Sequence, residues 1–265
     1  MLVVTGPPRS GTSMICNILQ RLGCDFGDER LLIPGNQWNE LGYFENTEII
    51  AMNQRLMLGT WLDTEPWTVD VWPESRRERL RRLVVVLIGR VVLSPRRVLR
   101  RSEVMADEIR ALIDKYERCT VKDPRFCFTL PAFGGRVKRV LYCVRHPREV
   151  ADSMAAQSGF PRIIGYYAWH RWCSWFWKQA AGYSVSVVDF NRLVERETCL
   201  GEMQRLYRFA GRPWDPDEAL EIRGQVLRDD LRHERAPAAP LPPMVREAYD
   251  EQLEQHRTDA QTAAG

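Results

Sequence analysis

The chain has 265 residues, 45% hydrophobic and 28% charged, which is the balance of a globular protein able to bury a sizeable core. Its net charge of +3 is too small to indicate a nucleic-acid partner. The seven cysteines lack C-x-x-C spacing, and no His/Cys group has zinc-ligand spacing. We therefore expect reduced thiols, no protein-bound metal and a cytoplasmic location. A strand beginning at Leu2 leaves no room for a signal peptide, and no stretch reaches the roughly 18 apolar residues of a membrane span.

The chain opens on a short apolar run, Leu2 to Thr5, followed by a Gly-Pro turn and a helical pattern from Met14. A strand, a tight loop and a helix in this order can build a phosphate cradle, because N–H groups of the loop and of the helix start converge on one anion. The residues at 6 and 11 are the two glycines of G-x-x-x-x-G-K-[ST], and 13 is its serine position. Thr12 stands at the lysine position.

The cation of this loop is Arg9, and the helix starts with two hydroxyls, those of Thr12 and Ser13. A loop that hydrolyses nucleoside triphosphates instead uses a lysine on the phosphates and a Ser/Thr on magnesium. A planar guanidinium suits a fork of anionic oxygens, so the loop predicts a site for a phosphate-type group without a metal. The structural alternative is an ordinary Gly-Pro turn before an amphipathic helix.

Residues 59–101 are predicted to form an insertion on the acceptor side of the site. The stretch 59–73 carries three Trp among Pro, Asp and Thr, which indicates either a lid or acceptor wall, or aromatic packing under a long loop. The stretch 76–101 is rich in Arg. Such residues more often form a solvated face, and contact with an acidic substrate or a peripheral membrane contact is the alternative.

Short apolar strands alternate with helices along the rest of the chain. This order predicts an α/β fold, a three-layer sandwich with a central, mostly parallel sheet of the P-loop-like nucleotide-binding type. The fold is expected to span residues 1–235, with an Ala/Pro-rich linker and a C-terminal helix over 236–265. The predicted strands are Leu2–Thr5, 119–121, Arg139–Val144 and 184–190. The predicted helices are Thr47–Leu58, 103–116, 148–158, 166–177, 192–210 and 244–256. Ser102 is the expected N-cap of the second of these helices, and a frayed tail is expected after the last.

Basic side chains follow three of these strands. In an open α/β sheet the ligand lies beyond the carboxyl ends of the strands. Arg9 follows the first strand, Lys122 with Arg125 the second, and Arg145 with Arg148 the third. Each alone is typical of a solvent-facing charge, but together they predict a pocket for a ligand with more than one anionic group. Ser153, eight residues after Arg145, could hold a second phosphate with that arginine, or could be a packed helix hydroxyl.

These residues resemble those of the PAPS-dependent sulfotransferases, which use 3′-phosphoadenosine 5′-phosphosulfate. The family's 5′-phosphosulfate loop is similar to residues 8–13, PRSGTS, and its 3′-phosphate motif to Arg145, Pro147 and Ser153. The arginine in the loop and the KDP sequence at 122–124 look more like the tyrosylprotein and bacterial carbohydrate-type branches. The segment 188–190 is similar to a late Tyr-Glu-Asp-Leu segment, so the resemblance covers about residues 2–212. The glycine- and lysine-rich segment of cytosolic members has no counterpart after Arg212.

The resemblance implies a sulfotransferase that takes the sulfuryl group of PAPS, without a metal, and moves it in line to a hydroxyl acceptor. For this branch we expect a carbohydrate, glycolipid or natural product as the acceptor. The catalytic residues would be Arg9 and Lys122 as cations at the bridging oxygen, and Glu45 as the general base. The donor would be held by Arg9, Ser10, Gly11, Thr12 and Ser13 in the loop and by Arg145 and Ser153 at the second site.

Several alternatives stay open. Glu45 could be a carboxylate that favours the start of the helix at Thr47, and His146 or His170 could be the base. A magnesium-dependent P-loop kinase of a small metabolite is the nearest rival, although Thr12 in the lysine position argues against it. A non-catalytic nucleotide-binding protein is the other rival, and the presence of Arg9, Lys122 and Glu45 argues against that.

Overall fold

The computed structural model describes residues 1–35, 42–59, 75, 77, 94–159, 161–226 and 240–262, without the side chains of 260–262. Residues 60–74 and most of 76–93 lie outside these ranges, so the proposed acceptor-side insertion stays a prediction for most of its length. The same holds for residues 236–239 of the expected linker. Within the described ranges, no helix has the length and apolarity that crossing a bilayer requires.

The described strands form one parallel sheet in the order β2-β1-β3-β4, comprising β1 (Leu2–Thr5), β2 (Thr120–Lys122), β3 (Arg139–Val144) and β4 (Val185–Asp189). Val4 of β1 lies opposite Lys122 on one side and Leu141 on the other. All four carboxyl ends therefore meet at one edge. The predicted α/β fold with a parallel sheet is confirmed.

Helices cover both faces of this sheet. Side chains that alternate along the strands point to opposite faces: Val3 and Val140 belong to one apolar cluster, and Val4 and Leu141 to the other. Burial on both faces is typical of parallel sheets and completes a three-layer sandwich. The helices are α1 (Thr12–Arg21), α2 (Thr47–Leu58), α3 (Pro95–Val104), α4 (Ala106–Lys115), α5 (Phe126–Thr129), α6 (Pro147–Ser158), α7 (Arg162–Gln179), α8 (Phe190–Val194), α9 (Cys199–Ala210), α10 (Pro216–Val226) and α11 (Pro243–Thr262).

Two of the predicted helices are each divided into two in the structure, and the helix expected over 166–177 is longer, Arg162–Gln179. The single helix expected over 103–116 is two helices that meet at Met105, and Ser102 lies inside α3, where its hydroxyl donates to the carbonyl of Leu99 at 2.7 Å instead of capping a helix start. The helix expected over 192–210 is divided into α8 and α9. Here the carboxylate of Asp189 accepts from the N–H groups of Asn191 and Arg192 and starts α8 earlier than predicted.

The C-terminal helix α11 is longer than predicted and packs against β4 and α7. Near its end, Asp259 accepts from the backbone N–H of Val187 at 3.2 Å and from the guanidinium of Arg205 at 2.5 Å. The expectation of a frayed tail from residue 257 is wrong, because these contacts tie the last turns of the helix to the sheet.

Asp189 gives the fold a pH dependence that can be measured. Burial raises the pKa of this carboxyl, and the nearby Glu202 acts in the same direction. A raised pKa in the folded state means that the unfolded chain releases the proton first, so this group's stabilisation is lost as pH rises from about 4 through the folded pKa. We expect Asp189→Asn to be more stable than the wild type at pH 7, since the amide oxygen can keep both capping bonds, and the difference to shrink towards pH 4.

Urea unfolding between pH 4 and pH 8 measures this difference in the free energy of unfolding. The matched control is Asp215→Asn, because the exposed Asp215 caps α10 by accepting from the N–H groups of Asp217 and Glu218. A stability difference for Asp189→Asn that stays constant across this range would contradict the assignment.

Candidate functional site

The backbone path of the loop between β1 and α1 depends on two of its glycines, because a side chain at either position would clash with a neighbouring residue. A Cβ built on Gly6 would lie 2.7 Å from the carbonyl oxygen of Cys143, and one built on Gly11 would lie 2.0 Å from the ring of Phe190. Gly11 also has a φ of 94°, which disfavours a side chain. The loop therefore packs directly against the ends of β3 and β4. The glycine spacing noted in the sequence serves this close approach.

Ser10 is fully buried in the loop, and its hydroxyl has no hydrogen-bond partner within the described ranges. Its carbonyl accepts from the thiol of Cys143 at 2.9 Å, which fixes the backbone of the loop. A buried hydroxyl without a partner is costly, and such groups in native proteins commonly mark the position of a ligand or a water. Ser10 is thus available to an anion held by the loop.

The structure brings Lys122 and Glu45 together at the end of β2. The ammonium of Lys122 lies 2.6 Å from Oε1 of Glu45 and 3.5 Å from the hydroxyl of Ser13. Both charged side chains are 0% exposed, so each needs the other to offset the cost of its burial. A parallel bridge between the backbones of Glu45 and Lys122 sets this pairing. The start of α2 is capped by the side chain of Asn46, the residue after Glu45.

A second buried group supports this pair. Arg125 lies 3.9 Å from Oε2 of Glu45, and its guanidinium donates to Asp123 at 3.0 Å. The other oxygen of Asp123 accepts from the amide of Asn53 at 2.9 Å, and Asn53 accepts in turn from the hydroxyl of Thr129. Two cations and two carboxylates are thus buried together. Asn53 was not recognised in the sequence, since a polar residue inside an amphipathic helix gives no signal of its partner 70 residues away.

Arg9 lies on the other side of the loop, with Ser153 and Arg145. Its Nε donates to the hydroxyl of Ser153 at 2.9 Å, and its carbonyl accepts from Nη1 of Arg145 at 3.0 Å. The φ of Arg9 is 67°, in the left-handed region that L residues avoid, and these two contacts hold it there. The structure therefore joins the loop to the Arg145–Ser153 pair. Arg9 thus contacts this pair, and Lys122 contacts Glu45 and Ser13.

Arg145 is largely buried, and desolvation lowers its pKa while Glu149 opposes the shift. Its Nε donates to Glu149 at 3.0 Å, and its guanidinium lies 4.4 Å from the centre of the Phe190 ring. The neighbouring Arg148 points elsewhere and pairs with Asp152 at 3.7 Å. Of the two arginines after β3, only Arg145 is held against the loop among the described contacts.

The two histidines considered as bases have other contacts. Nδ1 of His146 accepts from the N–H of Arg148 at 3.3 Å and caps α6, and its ring meets Tyr249 edge-on at 5.2 Å. His170 lies in α7 with Nε2 3.3 Å from the hydroxyl of Ser174, and desolvation lowers its pKa. Neither of these contacts is with Lys122, whereas Glu45 is in direct contact with it.

The fold and this site define a class of protein, which is a three-layer α/β protein whose strand–loop–helix, with a glycine at each end of the loop, has cationic side chains on both sides. No protein-family model and no curated protein sequence matches this chain. The argument for function therefore depends on the residues and their geometry.

Proposed function

We propose that this chain is a PAPS-dependent sulfotransferase of the bacterial carbohydrate or tyrosylprotein type, and that its acceptor is a hydroxyl of a carbohydrate, a glycolipid or a natural product. The observation that carries the proposal is the pair of cationic groups that flank one loop. Arg145 and Arg9 lie on one side with Ser153, and Lys122 lies on the other with Ser13. This arrangement suits a ligand with two separate anionic groups.

The chain offers a fitting partner for each anionic group of the donor. The unpartnered hydroxyl of Ser10, the hydroxyls of Thr12 and Ser13 and the free N–H groups at the start of α1 would hold the 5′-phosphosulfate. Arg145 and Ser153 would hold the 3′-phosphate. When bound, PAPS supplies an activated sulfuryl group whose leaving oxygen belongs to the 5′-phosphate.

The chain's own residues would place charge and remove a proton. Lys122 and Arg9 would present cations to the oxygen on which negative charge grows, and such preorganised charges are among the largest contributions to catalysis. Glu45, 2.6 Å from the Lys122 ammonium, would accept the proton of the acceptor hydroxyl. Glu45 thus has two tasks, which are to hold the Lys122 ammonium and to take a proton.

Binding of the desulfonated product tests the proposal most directly. We expect 3′-phosphoadenosine 5′-phosphate (PAP) to raise the melting temperature, because a ligand present at 100 times its Kd stabilises the folded state by about 2.7 kcal/mol. We expect ATP with magnesium at the same concentration to have a smaller effect. Thermal unfolding followed by fluorescence measures both. Stronger stabilisation by ATP with magnesium would favour the kinase instead.

A non-catalytic nucleotide-binding protein would also be stabilised by PAP. Transfer of radiolabelled sulfate from PAPS to an extract of the source organism separates the two, since a binding protein gives no labelled product, and it identifies the acceptor.

A cytoplasmic location is part of the proposal, and the seven cysteines, all free, are in keeping with it. A membrane contact through residues 76–101 also stays a proposal, and we propose no nucleic-acid partner.

A further inference from the structure

The first residues after β4 contact both anion-binding parts of the site, although the proposed function gives them no role. The ring of Phe190 lies where a Cβ of Gly11 would be, 2.0 Å from such an atom at Cδ2, so it packs directly against the last glycine of the loop. The same ring lies under the guanidinium of Arg145, 4.4 Å from ring centre to Cζ. One aromatic side chain therefore contacts both the loop, at Gly11, and Arg145, which also bonds to the loop through the carbonyl of Arg9.

Asn191 holds the same arginine from a second direction. Its Oδ1 accepts from the N–H of His146 at 2.8 Å, and its Nδ2 donates to Oε1 of Glu149 at 2.8 Å. The other oxygen of Glu149 accepts from Nε of Arg145 at 3.0 Å. Asn191 is itself fixed because its N–H donates to the carboxylate of Asp189 at 2.8 Å. The end of β4 thus orients Arg145 through Glu149.

These contacts leave donors of Arg145 for a ligand. A guanidinium has five N–H donors, and the bonds to Glu149 and to the carbonyl of Arg9 use two of them. Stacking on a ring fixes the plane of the guanidinium and costs none of these donors. A cation held in this way can bind a second anion only at a set distance and angle from the loop.

We propose that Phe190, supported by Asn191, is a positioning residue that sets the spacing between the loop and Arg145, and so selects nucleotides with a 3′-phosphate over those without one. This inference rests on the proposed function, in which Arg145 holds the 3′-phosphate, and it adds residues at the end of β4 that decide the specificity. Phe190 acts through Arg145 and Gly11.

The test compares the affinities of two nucleotides that differ by the 3′-phosphate alone, PAP and adenosine 5′-monophosphate (AMP), measured by calorimetry. We expect Phe190→Leu to lower the ratio of PAP affinity to AMP affinity about three- to thirty-fold, the range expected for a lost cation–π contact, with AMP affinity changed less. Asn191→Ala should lower the same ratio. If Phe190 and Asn191 had only a structural role, their substitution would lower the affinities for PAP and AMP by the same factor.

Phe209→Leu is the matched control. The guanidinium of Arg139, at the opposite end of β3, lies 5.4 Å from the centre of the Phe209 ring. This variant removes an arginine–phenylalanine contact of the same kind outside the site, so the affinity ratio should stay that of the wild type. Melting temperatures of all variants show that they fold.

The outcomes separate the inference from the proposed function. If the wild type does not prefer PAP to AMP, both are overturned. If it prefers PAP and neither Phe190→Leu nor Asn191→Ala changes the ratio, the positioning role is overturned and the proposed function stands. A ratio that falls for both variants and not for Phe209→Leu supports the positioning role.

Discussion

Lys122→Met is expected to slow sulfuryl transfer about 10²- to 10³-fold and to lower the free energy of unfolding by about 3–5 kcal/mol. The first effect follows from the proposed role of the Lys122 ammonium at the growing charge. The second follows because Glu45, 0% exposed and 2.6 Å from Lys122, would keep a buried charge with one partner removed. Transfer assays and urea unfolding measure the two effects separately.

The double variant Lys122→Met/Glu45→Gln distinguishes the chemistry from the fold. The wild-type cluster balances two cations, Lys122 and Arg125, against two carboxylates, Glu45 and Asp123. The single variant leaves an excess negative charge, whereas the double variant is balanced again, and replacing both members of a buried pair is often close to neutral. We therefore expect the double variant to regain most of the lost stability and to stay inactive.

Glu45→Gln alone completes this cycle and tests the base. The Glu45→Gln variant should still bind PAP, and its turnover rate should fall about 10²- to 10⁴-fold, which is the usual contribution of general acid–base catalysis. Near-normal turnover with unchanged PAP binding would remove Glu45 from the proposed mechanism. If the double variant transferred sulfate as fast as the wild type, Lys122 would have no place in the proposed mechanism either.

The sheet could be predicted from the sequence because short strands alternate with helices and because β3 is almost wholly apolar. The bounds of β1 and β3 agree with the prediction, and β2 and β4 differ from it by one residue at each end. An almost wholly apolar run such as β3 is typical of a parallel sheet that is covered on both faces. Since carboxyl ends of parallel strands share an edge, the sequence also placed Arg9, Lys122 and Arg145 on one side of the molecule.

The pairing of these residues could not be predicted in this way. Lys122 meets Glu45 because the chain before α2 runs alongside β2 and forms one bridge there, a contact across 77 residues that no local pattern encodes. Arg9 was expected with Lys122 at one oxygen. That role stays a prediction, and what the sequence did not indicate is the left-handed backbone of Arg9, with its carbonyl bonded to Arg145 and its guanidinium to Ser153.

Of the features that were not predicted, some have a local signal in the sequence and others do not. The helix α10 was not predicted, although Asp215 before Pro216 is a recognisable cap and first turn. The break between α3 and α4 at Met105 has no such signal, since neither Pro nor Gly is near it, and tertiary packing decides it. Phe190 was seen as part of a strand end, and its contact with Gly11 depends on the neighbouring order of β1, β3 and β4.

A chain that ends at Arg235, where the sequence predicted the α/β domain to stop, is expected to lose cooperative folding. The helix α11 would be absent, and with it the contacts that it makes with β4 and α7. The hydroxyl of the fully buried Tyr142 would lose its bond to Gln252, and Val245 would no longer fill its place beside Trp169. The sheet would be exposed on a face that the full chain buries.

The charged groups under α11 add to this loss of folding stability. Glu202, which is 2% exposed, contacts His256 at 2.8 Å, and the buried Arg205 donates to Asp259 and to the carbonyl of His256. Leaving a buried charge without its partner costs about 3–5 kcal/mol, and the total stability of a domain is about 5–15 kcal/mol. Removal of α11 takes His256 from Glu202 and Asp259 from Arg205, whose side chains keep each other as partners at 3.7 Å, so a part of this cost adds to the loss of the apolar contacts of α11.

Thermal unfolding by circular dichroism measures this effect, with Arg257→Gln in the full chain as control. Arg257 pairs with Glu254 on the exposed side of the same helix at 2.9 Å, and such surface pairs contribute at most about 1 kcal/mol. The control should keep a melting temperature close to that of the wild type. A shortened chain that unfolds cooperatively at the wild-type temperature would show that residues 1–235 fold alone, and that α11 only covers a surface that is already stable.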